Sequence, residues 1–384
     1  MTRFQTDWLD WPFFEPRHRE LGERLEAWCA ANLGGEHPHD VDAACRSLVG
    51  ELGEAGFLKL CVADGDLAPD VRSLAVARAT LARASGLADF AFAMQGLGSG
   101  AISLFGSDAQ KAEWLPKVSS GETIAAYALT EPETGSDAAN IAMRAEQSAD
   151  GWVLAGEKSY ISNGTIADVL TLFARTGSAD EGARGISAFI VRGDDPGLTV
   201  AERIEVIAPH PLARLKFDGV RAELLGTAGD GFKVAMQTLN LFRVTVGAAA
   251  LGFARRALDE ALNFATTRRL GDGLLADNPV TWDRLAGMKM AIDASALLVA
   301  RAAWQQDMGQ ADNRRDAAMA KLHATDEAQK VIDAAVQMHG GLGVTKGAKV
   351  EELYREIRSL RIYEGASEVQ RMIIARDLLK EHGA

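Results

Sequence analysis

An α+β chain in three parts is predicted: an N-terminal helical domain over residues 1–121, a middle antiparallel β-barrel-like domain over 122–230, and a C-terminal four-helix bundle over 231–384. Three observations carry this. Apolar residues recur at three- and four-residue spacing as far as Trp114, β-rich runs divided by turn residues follow Gly121, and the helical period returns after Gly231 in four long segments.

The first part is rich in Ala, Leu, Arg and Glu, with Leu21, Leu25 and Trp28 on one helical stripe. His37-Pro38-His39-Asp40 suggests a metal site only superficially, because no partner pair lies elsewhere; a solvated turn is the reading, and no metal is assigned. Gln95-Gly96-Leu97-Gly98-Ser99-Gly100 gathers small residues between helical stretches, at a cost of about 1 kcal/mol per Gly relative to Ala in a helix. Close packing or a roomy ligand pocket would each explain it. In the middle part, Thr123 to Leu129 reads as a strand. Ala142 to Gln147 and Trp152 to Lys158 flank an Asp150-Gly151 turn, and Val169 to Arg175, Ile186 to Arg192 and Ala213 to Phe217 follow. The last part reads as helices over Phe232 to Arg268, Thr281 to Met308, Asp312 to His339 and Ser367 to Lys380.

The whole chain narrows the function classes. At 384 residues and 47% hydrophobic content it can bury a sizeable core. No run approaches the roughly 18 apolar residues of a membrane span, and Met1 to Asp7 lacks a positive region before an apolar core, so no membrane association and a cytoplasmic location are expected. A formal charge of −12 disfavours nucleic acid and anionic membrane as partners. Cys29, Cys45 and Cys61 are odd in number and match neither a disulfide framework nor a zinc knuckle, so buried, reduced thiols are expected.

Near the end, Arg361-Ile362-Tyr363-Glu364-Gly365-Ala366-Ser367-Glu368 sets one carboxylate between an aromatic ring and a glycine, just before an apolar helix. The first free amides of that helix lie close by. Taken alone, the segment reads as a helix flank before it reads as catalytic. The rest of the chain decides.

Tyr127-Ala128-Leu129-Thr130-Glu131-Pro132-Glu133-Thr134-Gly135-Ser136-Asp137 resembles the aromatic-x-x-Thr-Glu-Pro-x-x-Gly-Ser-Asp segment of the acyl-CoA dehydrogenase family. The resemblance implies an FAD enzyme of that family's fold. Leu129 and Thr130 would meet the flavin pyrimidine edge, with Tyr127 and Gly135 beside them, and Ser136 would reach cofactor and the pantetheine part of the substrate. In Lys158-Ser159-Tyr160-Ile161-Ser162-Asn163, Tyr160 stands where the family has Trp over one flavin face, and Ser162 keeps the hydroxyl near N5. Arg268 is similar in position to a family arginine on FAD phosphate or adenine, and Gln337-Met338-His339-Gly340-Gly341-Leu342-Gly343 matches Gln-x-x-Gly-Gly-x-Gly. Ala366 and Glu368 complete the implied cofactor set. The chain departs from the family at Gly271-Asp272, where Phe-Gly is common, at Pro279 for Gln, at Ala366 for Thr, and at Asn240 for an Asp beside the substrate.

By the same resemblance Glu364 is the catalytic base and Arg243 the arginine beneath the site. Phe242 fills the slot where some relatives put the base, and it cannot take a proton. Asn240, Tyr363 and Gly365 would line the substrate. Glu364 would remove the α-proton of an acyl-CoA thioester while the β-carbon delivers hydride to flavin N5, leaving a trans-2-enoyl-CoA. Hydrogen bonds from the Glu364 amide and a flavin ribityl hydroxyl would support the thioester oxygen. An electron-transfer flavoprotein would be the acceptor, and a homo-oligomer, tetramer or dimer, the assembly. An oxidase or desulfinase on the same fold, and a nucleic-acid-associated binding relative, stay as alternatives.

Overall fold

The computed structural model describes residues 7–34, 39–65, 67–149, 151–309 and 313–383. In chain order come α1 (Pro16–Asn32), α2 (Val41–Glu54), α3 (Val71–Ala84), α4 (Gly86–Phe105) and α5 (Asp108–Ser120). Seven strands follow: β1 (Ala125–Ala128), β2 (Arg144–Ser148), β3 (Gly151–Ser162), β4 (Val169–Arg175), β5 (Ile186–Arg192), β6 (Leu198–Arg203) and β7 (Leu212–Leu225). The remainder is α6 (Gly231–Thr267), a hairpin of β8 (Arg269–Leu270) and β9 (Gly273–Leu274), then α7 (Pro279–Asp307), α8 (Arg314–His339), α9 (Lys349–Leu360) and α10 (Ser367–Glu381). Of the turns singled out above, His37, Pro38 and Asp150 lie outside the described residues. Asp40 has a plain structural task, since its carboxylate accepts the Ala43 N–H at 3.0 Å and caps α2.

Contacts gather the chain into two compact units: Glu36–Pro69 with Phe90–Phe242, and Met1–Gly35 with Asp70–Asp89 and Arg243–Ala384. The first is built on the strands. β4 pairs β2, β2 pairs β3, β3 pairs β7, β7 pairs β5, and β5 pairs β4 again, which closes a barrel-like ring; β6 adds to β7 and β1 to β4. The expected antiparallel domain is therefore mixed, because β1 runs parallel to β4 and β2 meets β4 in parallel. The β2–β3 hairpin lies between β1 and β4 in sequence and supplies the long connection that a parallel pair requires. Leu154, Leu172, Phe189 and Phe217 fill one apolar cluster, and Ile102, Trp114, Phe173 and Val234 another. β4 is buried along its whole length and reads as a largely apolar run, broken by Thr171 and ending in Arg175, rather than an alternation.

The glycines of α4 resolve to close packing. A Cβ on Gly96 would stand 2.7 Å from the Phe242 ring, one on Gly100 2.6 Å from the same ring, and one on Gly98 2.7 Å from the Ala125 backbone. The phenyl group occupies the room a pocket would have needed.

The second unit is helical. Its C-terminal part has a fifth helix, α9, beyond the four segments read from sequence; Val350, Leu353, Ile357 and Leu360 form its buried stripe on an otherwise charged helix. Asn278 caps α7, and Pro279 takes the first helical position, where a missing N–H costs nothing. α6 corrects the expectation that no stretch resembles a membrane span. Its 18-residue apolar window has mean hydropathy 1.3, but 78% of that window is buried inside the protein, as in a core helix. Cys29, Cys45 and Cys61 are buried thiols outside any disulfide, as expected.

Candidate active site

Glu364 lies in the loop joining α9 to α10 with a left-handed backbone, φ +50°, followed by Gly365 at φ +89°. Left-handed geometry is uncommon for a residue with a Cβ and persists when its surroundings over-determine it. They do so here. Asp326 on α8 accepts from Arg361 Nε at 2.8 Å, from Ser367 Oγ at 3.2 Å and from Arg371 at 3.0 Å, so both ends of the loop hang on one carboxylate. The Gly365 carbonyl accepts from Lys321 Nζ and from Gln370 Nε2, each at 2.7 Å. Gly365 is required on two counts, because a Cβ there would also stand 2.4 Å from Gln370 Nε2.

The Glu364 side chain is held differently. Its Oε2 is shut off from solvent and has no hydrogen-bond partner among the described residues. Burial pushes its carboxyl above the usual carboxylate range, against the opposing pull of Arg78, Lys321 and Arg243, with Asp89 adding to the rise. Arg243 on α6 is buried and its guanidinium is pushed down by burial, partly offset by Glu364. Arg78 on α3 is buried in a two-pronged ion pair with Asp89 at 2.8 and 2.9 Å and donates to Thr245 Oγ1 at 3.1 Å. The site thus holds a carboxylate in a cationic, water-poor setting with one oxygen left over.

The same unit places Glu364, Arg243, Tyr363 and Gly365 together. Arg268 is exposed at the end of α6 and Gln337 in the last turn of α8; these helix ends meet, since Phe264 and His339 stack at 4.3 Å. Gly340 and Gly341 follow in a single 3-10 turn, Ala366 is the N-cap of α10, and Glu368 is exposed in its first turn.

The β-containing unit assembles its own group. The Leu129 carbonyl accepts Lys158 Nζ at 2.9 Å and the Thr130 carbonyl accepts the Ser159 N–H at 2.9 Å, which joins the Thr-Glu-Pro segment to the strand that carries Tyr160 and Ser162. Glu131 is the linchpin, accepting from the Ala142 and Met143 amides and from Lys158 Nζ at 2.6, 3.0 and 2.8 Å. Tyr160 stands at φ +56°, within the register shift of β3, and is 62% exposed. Tyr127 donates to the Ala235 carbonyl at 3.2 Å, Gly135 and Ser136 lie exposed, and Asn240 is half-buried on α6.

Arg78, Asp89, Lys321, Gln370, Glu131 and Lys158 were not picked out from the sequence. Arg78, Asp89 and Lys321 share a signal, a charged residue inside a largely apolar helical run, as Arg78 within Val76-Ala77-Arg78-Ala79 and Lys321 after Ala317-Ala318-Met319-Ala320. Among the described residues no group of three or more His, Cys, Asp or Glu could hold a metal ion.

Each unit, taken by itself, has features that suit a flat, polar-edged cofactor. Tyr160 offers an exposed aromatic plate. At Gly135 and Gly341 the backbone has no positive φ and no atom lies within 4 Å of where a Cβ would stand, so nothing within the chain requires glycine there; backbone left open to a bound group fits both positions.

Comparison with known proteins bears on this directly. Three family models match in succession: acyl-CoA dehydrogenase N-terminal domain over residues 15–122, middle domain over 126–220 and C-terminal domain over 229–379. A 3-(aryl)acrylate reductase of Clostridium sporogenes is 35% identical over 344 residues, 87% of this chain and 90% of that protein. An acyl-CoA dehydrogenase of Bacillus subtilis is 36% identical over 341 residues, 86% of this chain and 89% of its own. The butyryl-CoA dehydrogenase structure from Megasphaera elsdenii superposes with a TM-score of 0.84 at 32% identity, covering 99% of each chain.

Proposed function

The chain belongs to the acyl-CoA dehydrogenase family, and from that membership we propose that Glu364 is the base that takes the α-proton of a bound acyl-CoA thioester. The family's cofactor is FAD, which when bound supplies the acceptor for the hydride that leaves the β-carbon. Loss of proton and hydride together converts the acyl thioester to its trans-2-enoyl form.

The observation that supports this most is the unpartnered, solvent-excluded Oε2 of Glu364 with its raised pKa. A structural carboxylate would be spent on donors, as Asp326 and Glu131 are. A base needs an oxygen in reserve and an affinity for protons near working pH. Arg78, Lys321 and Arg243 oppose that rise and favour the ionised form. The strained loop aims the group, and the α-proton of a neutral thioester is acidic enough only when its oxygen is hydrogen-bonded as charge develops there.

Tyr160, Ser162, Leu129 and Thr130 would hold the flavin edge, with Tyr127, Gly135 and Ser136 on the same segment. Arg268, Gln337, Gly340, Gly341, Ala366 and Glu368 would serve the remainder of FAD. Tyr363, Gly365, Asn240 and Arg243 would contact substrate. An electron-transfer flavoprotein is the proposed acceptor, in place of oxygen.

The test is Glu364→Gln in the FAD-loaded enzyme, mixed anaerobically with acyl-CoA. FAD should stay bound while bleaching of its absorbance slows by about 10²–10⁴-fold, the usual contribution of a general base. Unchanged bleaching would sink the assignment.

A further inference from the structure

The side chain of Lys321 is fully buried on the alanine-rich face of α8, where a charged group is out of place unless it has a task. Its ammonium lies 2.7 Å from the Gly365 carbonyl. Gln370 Nε2, from α10, reaches the same oxygen at 2.7 Å and the Glu364 carbonyl at 3.4 Å. Two donors from two helices converge on one carbonyl and so fix the plane of the peptide that follows Gly365. Glu364, next to it, keeps a left-handed backbone that residues with a Cβ rarely adopt.

We propose that Lys321 is a positioning residue for Glu364, locking the Glu364–Gly365 backbone in its left-handed form. The inference rests on the reading of Glu364 as base. A neutral amide could donate one hydrogen bond to the Gly365 carbonyl at less cost in desolvation, so the charge itself calls for a reason. Glu364 supplies one: burial pushes the Lys321 ammonium down to about 8, and Glu364 is the foremost group that opposes this. The charged groups that act on Glu364 are Arg78 from α3, Asp89 from α4, Arg243 from α6 and Lys321 from α8. Arg243, Asp326 and Arg361 act in turn on Lys321. Removing Lys321 takes away one of three cations near the carboxylate, so its pKa must rise and less of it is ionised at neutral pH.

The experiment compares wild type, Lys321→Met and Lys321→Gln as FAD-loaded enzymes, with butyryl-CoA and 3-phenylpropionyl-CoA as probes. Single-turnover bleaching gives the rate at saturation and the half-saturating concentration separately. An infrared pH titration without substrate, with Glu364→Gln as the subtraction blank, reads the carboxyl midpoint directly. Lys321→Met is expected to lower the saturated rate by about 10–100-fold, as a displaced reacting group does, with half-saturation changed by less than about twofold. Its carboxyl midpoint should rise by about one pH unit, the effect of losing a neighbouring opposite charge. Lys321→Gln keeps a donor without the charge, so it should regain most of the rate at high pH while its midpoint stays raised. Wild-type rate and midpoint in either folded variant overturn the proposal, and if Lys321→Met does not fold, Lys321→Gln decides alone. Continued bleaching in Glu364→Gln would defeat the base assignment itself; an inactive Glu364→Gln beside wild-type behaviour at Lys321 would defeat only the role of Lys321.

Discussion

Glu131 and Lys158 form an ion pair of 2.8 Å, with the lysine side chain wholly buried, and through it the Thr-Glu-Pro segment is tied to β3. Burial pushes the Lys158 ammonium down to about 8, while Glu131 opposes the fall. Replacing Lys158 by Met would strand a buried carboxylate whose remaining partners are the Ala142 and Met143 amides. Breaking a buried pair in this way costs about 3–5 kcal/mol. Lys158→Met should therefore show a lower urea midpoint and weaker flavin retention. Lys158→Met with Glu131→Gln, which removes both charges, should recover part of the loss. A single variant as stable as wild type would show that the pair is dispensable.

Glu364 should make the protein less stable than it could be. Its folded pKa lies above its unfolded one, because burial disfavours the charged form. The folded state then binds more protons between the two values, so stability is full below the unfolded pKa and falls as pH rises through the folded pKa. Above that window the ionised Glu364 opposes folding. Glu364→Gln, neutral throughout, should have the higher thermal midpoint at pH 7, because it buries no charge. The difference should shrink toward pH 4. A catalytic carboxylate commonly carries such a stability cost. Equal midpoints for both proteins across pH 4–8 would contradict the raised pKa.

Phe242 and Gly96 fit as ring and recess. Ala is the better helix former by about 1 kcal/mol, but its methyl on Gly96 would stand 2.7 Å from the ring. Overpacking of this kind costs about 1–3 kcal/mol. Gly96→Ala should thus be destabilising in the wild-type background and neutral or stabilising beside Phe242→Leu, which frees the space. The double-mutant cycle should return a coupling above about 0.5 kcal/mol. An additive pair would mean that the helix yields instead.

The helices and most strands could be read because their apolar residues carry the period. β6 escaped because all six of its residues from Leu198 to Arg203 are exposed or half-buried, so neither face writes an apolar alternation into the sequence. α9 escaped because six of its twelve residues are charged, although Val350, Leu353, Ile357 and Leu360 keep helical spacing. At the site the motif residues were legible as motifs. Arg78, Asp89 and Lys321 were passed over, since periodicity treats a charge as a surface residue, and the apolar runs around them were the one clue that these three face inward. The left-handed backbone of Glu364 was equally hidden, because non-glycine residues rarely adopt it.

Ala366 is the weakest joint of the loop. It is the N-cap of α10 and has no side chain to accept from the first free amides of the helix. Ser367, one residue on, cannot compensate, because its hydroxyl donates to Asp326 at 3.2 Å. Thr at an N-cap is worth about 1 kcal/mol over Ala. The extended backbone at Ala366, φ −56° and ψ 161°, accepts a capping side chain without strain. Ala366→Thr should raise the thermal midpoint by an amount matching about 1 kcal/mol. It should also slow hydrogen exchange at the amides of Glu368 and Val369, the donors such a cap would engage. The loop before it should keep its backbone, since Lys321, Gln370 and Asp326 already hold it from other directions. A variant no more stable than wild type, with exchange unchanged at those amides, would show that a cap is not what the helix start lacks.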